Sequence, residues 1–164
     1  MKLPKDLVDD PRHDAVTALL QADAVPLWEG GRTPVATVPL TDSLTLVLRH
    51  ALHVGLASQG LELITEKLAA EQNGIDAANL KTLTAPSAAR VSRLLFVAND
   101  GSKRFYRDCD GLLARYDRRL LACRVDLPGT DFGKAVFGAP KLVRCVLVTD
   151  KRAVSRALLA LLEP

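Results

Sequence analysis

His50 and His53 stand three residues apart, a spacing that puts two imidazoles on one helix face and lets them share a metal ion. No third ligand is placed by spacing, so the pair reads as surface or partly buried histidines. Three cysteines, Cys109, Cys123 and Cys145, form an odd number at wide intervals, and two lie inside apolar runs. They read as small buried side chains in a reducing compartment, not as a disulfide or thiolate cluster. The turns Asp100-Gly101-Ser102 and Thr149-Asp150-Lys151 follow apolar runs, where active sites often form. Neither has the glycine spacing of a phosphate loop or the serine turn of a nucleophile elbow. No nucleophile is paired with a base. The expectation is a non-enzymatic protein with no catalytic residues, metal or cofactor.

The basic residues are the other source of chemistry. Residues 1–86 carry 7 Lys and Arg against 11 Asp and Glu, a balance of −4; residues 87–164 carry 15 against 8, a balance of +7. A basic half suits an anionic partner such as RNA, or is an ordinary solvated surface. Lys103, Lys134, Lys141 and Lys151 are expected near one edge of the molecule, where they could hold phosphate. Arg115, Arg118 and Arg119 flank a strand start and are expected at the opposite edge.

These residues must be positioned by a unit that recurs three times between Ser92 and Leu162: an apolar run, a turn, an amphipathic helix. The runs are Leu94–Ala98, Leu120–Val125 and Val143–Val148, ending at or near Asp100, Asp126 and Asp150. This order predicts an α/β domain, a three-layer α/β/α sandwich on a short mixed sheet. Upstream, Pro34 and Pro39 bracket an extended segment. Thr41 or Asp42 can cap a helix bearing Leu44, Leu48, Ala51 and Leu52. A second helix is predicted from Leu61 to Glu71, and residues 72–91 read as an inserted loop punctuated by Asn73-Gly74 and able to form a helical turn near Asp76 to Lys81. Residues 1–33 read as an N-terminal extension. A short helix is expected at Asp14–Ala22, and Trp28 should pack the arm onto the body. At 164 residues, with 48% of them hydrophobic, the chain is long enough to bury one core. No run reaches a membrane span and no secretory signal is visible, so an intracellular protein without membrane contact is expected.

From Pro34 onward the order of features resembles the kink-turn RNA-binding family, which includes small box C/D and H/ACA ribonucleoprotein subunits and several ribosomal proteins. Val38-Pro39-Leu40-Thr41-Asp42 is similar to the start of the family's first helix. Ala51, Gly55 and Gly60 fall at its spacing, and Leu94–Asp100 resembles the strand that ends in Ala-Glu-Asp. Phe132-Gly133-Lys134-Ala135-Val136-Phe137-Gly138 is similar to its Leu-Gly-x-Ala-x-Gly helix, with one extra residue. Val146–Asp150 resembles its last strand.

The resemblance implies a structured RNA, kink-turn-like or related, and other ribonucleoprotein subunits as partners. It implies RNA contact at Gly60, Leu61, Glu62, Leu63 and Lys67, and at the opposing segment Ala139, Pro140 and Lys141. Asp100, Lys103 and Lys134 complete the implied interface, Asp100 also being a candidate cap for the turn that follows it. The family follows this glycine with a small residue, Asn and Glu, then a Lys three positions later. Here those positions hold Leu61, Glu62, Leu63 and Glu66. Each lost reading group leaves an RNA polar group unpaired, at about 1–3 kcal/mol. The alternative expectation is therefore a protein–protein interaction module on the same fold. The Val-Pro-Leu segment resembles eukaryotic and archaeal members, which places the expectation in the nucleus or nucleolus for a eukaryotic source and the cytoplasm otherwise.

Overall fold

The three apolar runs become three neighbouring strands. The structure, a computed structural model, describes residues 1–82 and 88–164. After a 3-10 turn at Lys5–Leu7 come α1 (His13–Gln21), β1 (Ala36–Val38), α2 (Asp42–His53), β2 (Ala57–Gln59) and α3 (Leu61–Thr82). They are followed by β3 (Arg93–Val97), α4 (Lys103–Arg115), β4 (Leu120–Val125), α5 (Gly129–Phe137), β5 (Cys145–Val148) and α6 (Lys151–Ala160). The five strands form one sheet in the order β1-β4-β3-β5-β2. β1, β4 and β3 are parallel, and β5 and β2 join antiparallel.

Strand side chains alternate between faces, and the two faces carry separate cores. Leu94, Phe96, Cys123, Val125, Val146 and Val148 meet α1, α2, α5 and α6 through Val16, Leu44, Leu48, Phe132, Val136, Val154 and Leu158. Leu95, Val97, Leu120, Ala122, Cys145 and Leu147 meet α3 and α4 through Ile64, Leu68, Cys109, Leu112 and Leu113. This is the expected α/β/α sandwich on a short mixed sheet. Local capping matches the sequence. Thr41 accepts from the Leu44 amide at 3.2 Å, Ser102 from Phe105 at 3.1 Å and Asp150 from Ala153 at 2.9 Å. Each satisfies an otherwise free first-turn donor.

One reading is corrected. Residues 72–82 are not part of a loop, because α3 continues through Asn73-Gly74 to Thr82. Gly74 is exposed, where a helical glycine costs only about 1 kcal/mol, and alanine-rich flanks with a Gln72–Asp76 side-chain hydrogen bond of 3.0 Å support the helix. Of the remainder, residues 83–87 lie outside the described residues, and Arg90 forms a parallel bridge with Lys2. The third repeat supplies the antiparallel member of the expected mixed sheet. β5 runs antiparallel to β3, which reverses the end of the sheet at which its following helix starts.

The N-terminal arm is bound to both layers. Leu3, Leu7 and Val16 enter the α6 side of the core, and Leu27 and Trp28 pack on the α4 side. The buried Asp110 carboxylate accepts from the backbone amides of Arg32 and Thr33, both at 3.2 Å. Trp28 therefore packs the arm onto the body as expected, its indole Nε1 buried without a hydrogen-bond partner. Among the described residues no helix is long and apolar enough to cross a membrane.

Candidate nucleic-acid interface

β3 and β4 finish, and β5 starts, at the same end of the sheet as the close of β2. Gly60, the first turn of α3, Asp100 and Lys103 stand at that shared end, here the Gly60 end. Gly60 joins β2 to α3 with φ of +93°, a conformation that disfavours any residue with a Cβ. Its amide donates to the Cys145 carbonyl at 3.3 Å, and its carbonyl accepts from Ile64 at 3.0 Å. The turn is thus pinned to the first residue of β5 and opens directly into the first turn of α3. Leu61, Glu62, Leu63 and Glu66 surround a shallow depression of about 350 Å³ there. Ile64 and Leu68 face the core, which leaves Glu62, Leu63 and Glu66 exposed and Lys67 half-buried.

The opposing segment is shaped by two glycines. Gly138 ends α5 in the left-handed conformation, φ +70°, its amide bonded to the Lys134 carbonyl. The chain then folds back along α5. The Val143 amide donates to the Gly129 carbonyl at 3.0 Å, and a Cβ on Gly133 would overlap the Lys141 carbonyl. Gly133 is therefore required by close backbone approach, a role the motif spacing alone did not show. Ala139, Pro140 and Lys141 are exposed on this returning segment. The Lys141 ammonium lies 4.2 Å over the Phe137 ring, so the cation is held against α5. Lys134 is exposed on α5.

Asp100 does not cap the turn that follows it; Ser102 does that. The Asp100 carboxylate reaches across to accept from the Gly129 amide at 2.9 Å, and Arg144 stands 3.9 Å from its other oxygen. Asp100 thus ties the end of β3 to the start of α5. Tyr106, absent from the sequence reading, holds the same turn: its hydroxyl donates to the Ala98 carbonyl at 2.6 Å and accepts from the Gly101 amide at 3.0 Å. Burial raises its pKa and the Gly101 amide opposes the shift. No short-range pattern announces a bond that depends on the folded turn.

The four lysines expected along one edge are separated. Lys103 is at the Gly60 end but is paired with Glu29 and lies 5.8 Å over Trp28. Lys134 and Lys141 sit on and behind α5. Lys151 is at the opposite end, because β5 is antiparallel to β3. His50 and His53 are exposed on α2, and among the described residues no three His, Cys, Asp or Glu are grouped to hold a metal. All three cysteines are buried and free. Burial pushes the Cys123 thiol up to about 12 and the Cys145 thiol to about 11, the latter opposed by a backbone hydrogen bond from Gly60. They pack as small apolar groups rather than as nucleophiles.

Neither a scan against protein-family models nor a search of curated proteins finds a match to this chain.

Proposed function

We propose that this protein is a non-enzymatic RNA-binding subunit of a ribonucleoprotein, contacting kinked or structured RNA through the Gly60 turn and the Ala139–Lys141 segment. The observation that carries the reading is the pinning of a positive-φ glycine turn, at an exposed helix start, against β5. It presents backbone and first-turn side chains of α3 beside the strand into which the α5 return segment leads. The family resemblance assigns RNA contact to these positions. Leu63 and Glu66 replace a hydrogen-bonding carboxylate and a phosphate-binding lysine, so kink-turn affinity should be weak. Titration with a labelled kink-turn RNA and with the same stem unkinked tests the reading. A preference for the kinked stem supports it, and no binding to either at low salt overturns it.

A second reading, a protein-interaction module, is favoured by one feature of the same end. Leu63 is 46% exposed beside Leu61 where the family carries small and polar groups. Purification from the native source separates the two: a ribonuclease-resistant protein partner supports the second reading, and a specific RNA the first. A nucleolar location, for a eukaryotic source, belongs to the first reading alone.

A further inference from the structure

The end of the sheet opposite Gly60 carries a group of exposed cations, Arg115, Lys151 and Arg152. β3 and β4 start there and antiparallel β5 finishes there, so α6 begins beside the segments that lead into β3 and β4. Leu121, Leu94 and Val148 form one row across three adjacent strands, each about 4.8 Å from the next. Just outside that row the chain carries Arg118, Arg90 and Lys151 with Arg152. The Arg90 amide donates to the Arg118 carbonyl at 2.9 Å, and the Lys2 carbonyl accepts from the Val91 amide at 2.8 Å. These bonds hold the lead-ins to β4 and β3 and the N-terminal Lys2 segment side by side. Arg115 closes α4 at the same end, 5.7 Å over the Tyr116 ring.

The acids of this end are largely committed to internal bonds. Glu71 accepts from Arg93 at 2.9 Å and from Arg119 at 2.8 Å. Asp150 caps α6, and Asp6 accepts from the Ser155 hydroxyl at 2.6 Å. Asp117 is exposed beside the cluster, and Asp76 is exposed on α3 beyond Glu71, where it accepts from the Gln72 side chain at 3.0 Å. Lys151 and Arg152 are exposed in the first turn of α6, which contains no acid. Cations are disfavoured at this positive end of a helix dipole. Cations set against both the dipole and one another cost stability in the free protein, and a bound anion relieves that cost.

We infer that this end is a binding surface for the phosphate backbone of RNA, separate from the Gly60 end. Arginine predominates, and its planar fork matches phosphate oxygens in pairs. The surface spans several strands, which suits an extended polyanion rather than a small one. The choice of RNA over an acidic protein rests on the RNA-binding reading above. Contacts of this kind position RNA and carry no sequence preference.

The test uses the full chain with two labelled RNAs, a hairpin with an unbroken stem and the same stem carrying a kink-turn, across about 50 to 200 mM salt. Arg115→Gln/Lys151→Gln/Arg152→Gln, with folding checked by circular dichroism, should weaken both RNAs roughly tenfold or more at low salt. It should flatten the dependence of log affinity on log salt by about 2–3 and leave the preference between the two RNAs unchanged. Lys134→Gln/Lys141→Gln is the control at the other surface. If the triple variant binds as wild type while the control pair weakens binding, this inference is wrong and the Gly60 reading stands. If wild type binds neither RNA, both are wrong. Tighter binding to poly-glutamate than to either RNA overturns the choice of RNA.

Discussion

At the Gly60 end, Lys103 meets Glu29, Arg144 approaches Asp100, and Glu62 and Glu66 stand exposed on the first two turns of α3. At the Arg90 end, one carboxylate, Glu71, satisfies two arginines, and Arg115, Lys151 and Arg152 remain exposed. One end has the glycine turn the resemblance associates with RNA, with exposed acids on α3 and exposed Arg104 and Arg107 on α4. The other carries exposed Arg115, Lys151 and Arg152. On the proposed reading, shape recognition and phosphate attraction fall on separate surfaces. Phosphate contacts supply affinity that salt screens, and specificity depends on placed hydrogen-bonding groups.

The sharpest way to separate the ends is to restore what the Gly60 end lacks. Glu62→Asn/Leu63→Glu/Glu66→Lys supplies the reading groups and the phosphate cation at exposed positions, where substitutions cost the fold little. With each regained hydrogen bond worth about 1–3 kcal/mol, kink-turn affinity should rise about 100-fold or more, while affinity for an unbroken stem changes much less. An equal gain for both stems would show that charge alone acts there.

Glu71→Gln strikes the other end. Arg119 is nearly buried, its side chain 11% exposed against 26% for Glu71, and loses its countercharge. Unpairing a fully buried ion costs about 3–5 kcal/mol, so about 2–3 kcal/mol is expected for this partly wet pair, read by urea denaturation. The pH dependence has a definite sign. Burial of Glu71 works to raise its pKa, but hydrogen bonds from Arg93 and Arg119 outweigh it and hold the carboxyl below its ordinary 4.5. Its contribution is therefore full above that value and is lost as pH falls through the lower folded pKa. The variant should lose that part of the acid sensitivity. Unchanged acid unfolding would show that Glu71 is not a stabilising link.

Gly133→Ala drives a methyl into the Lys141 carbonyl, and the return segment must shift. Overpacking of this kind costs about 1–3 kcal/mol, with the upper part expected because the obstacle is backbone. Any binding that depends on Ala139–Lys141 should fall with it, while the salt dependence contributed by Arg115, Lys151 and Arg152 should persist. The smallest effect is Gly60→Ala. No atom lies within 4 Å of the added Cβ, so only the positive φ is strained, at about 1–2 kcal/mol. A loss near zero in thermal unfolding would mean that the turn relaxes freely.

Much of the frame is legible because it is local. The apolar runs alternate into β3, β4 and β5, and Thr41, Ser102 and Asp150 cap the helices that follow them. The burial of all three cysteines follows from their apolar surroundings. The length of α3 was not legible, because Asn73-Gly74 reads as a breaker unless the surrounding alanines and a side-chain bond outweigh it. Asp100 was legible as an acid at a strand end, but its partner, the Gly129 amide, is 29 residues away. Tyr106, Asp110 and Glu71 also act through partners distant in sequence.

From the sequence alone come the α/β/α class, the strand positions, the helix caps and the glycine turn, since these depend on neighbours within a few residues. Only the tertiary structure decided that β5 runs antiparallel. An apolar run is buried equally well in either direction, so its residues do not encode which way it points. That direction placed Lys151 and Arg152 at the end opposite Gly60.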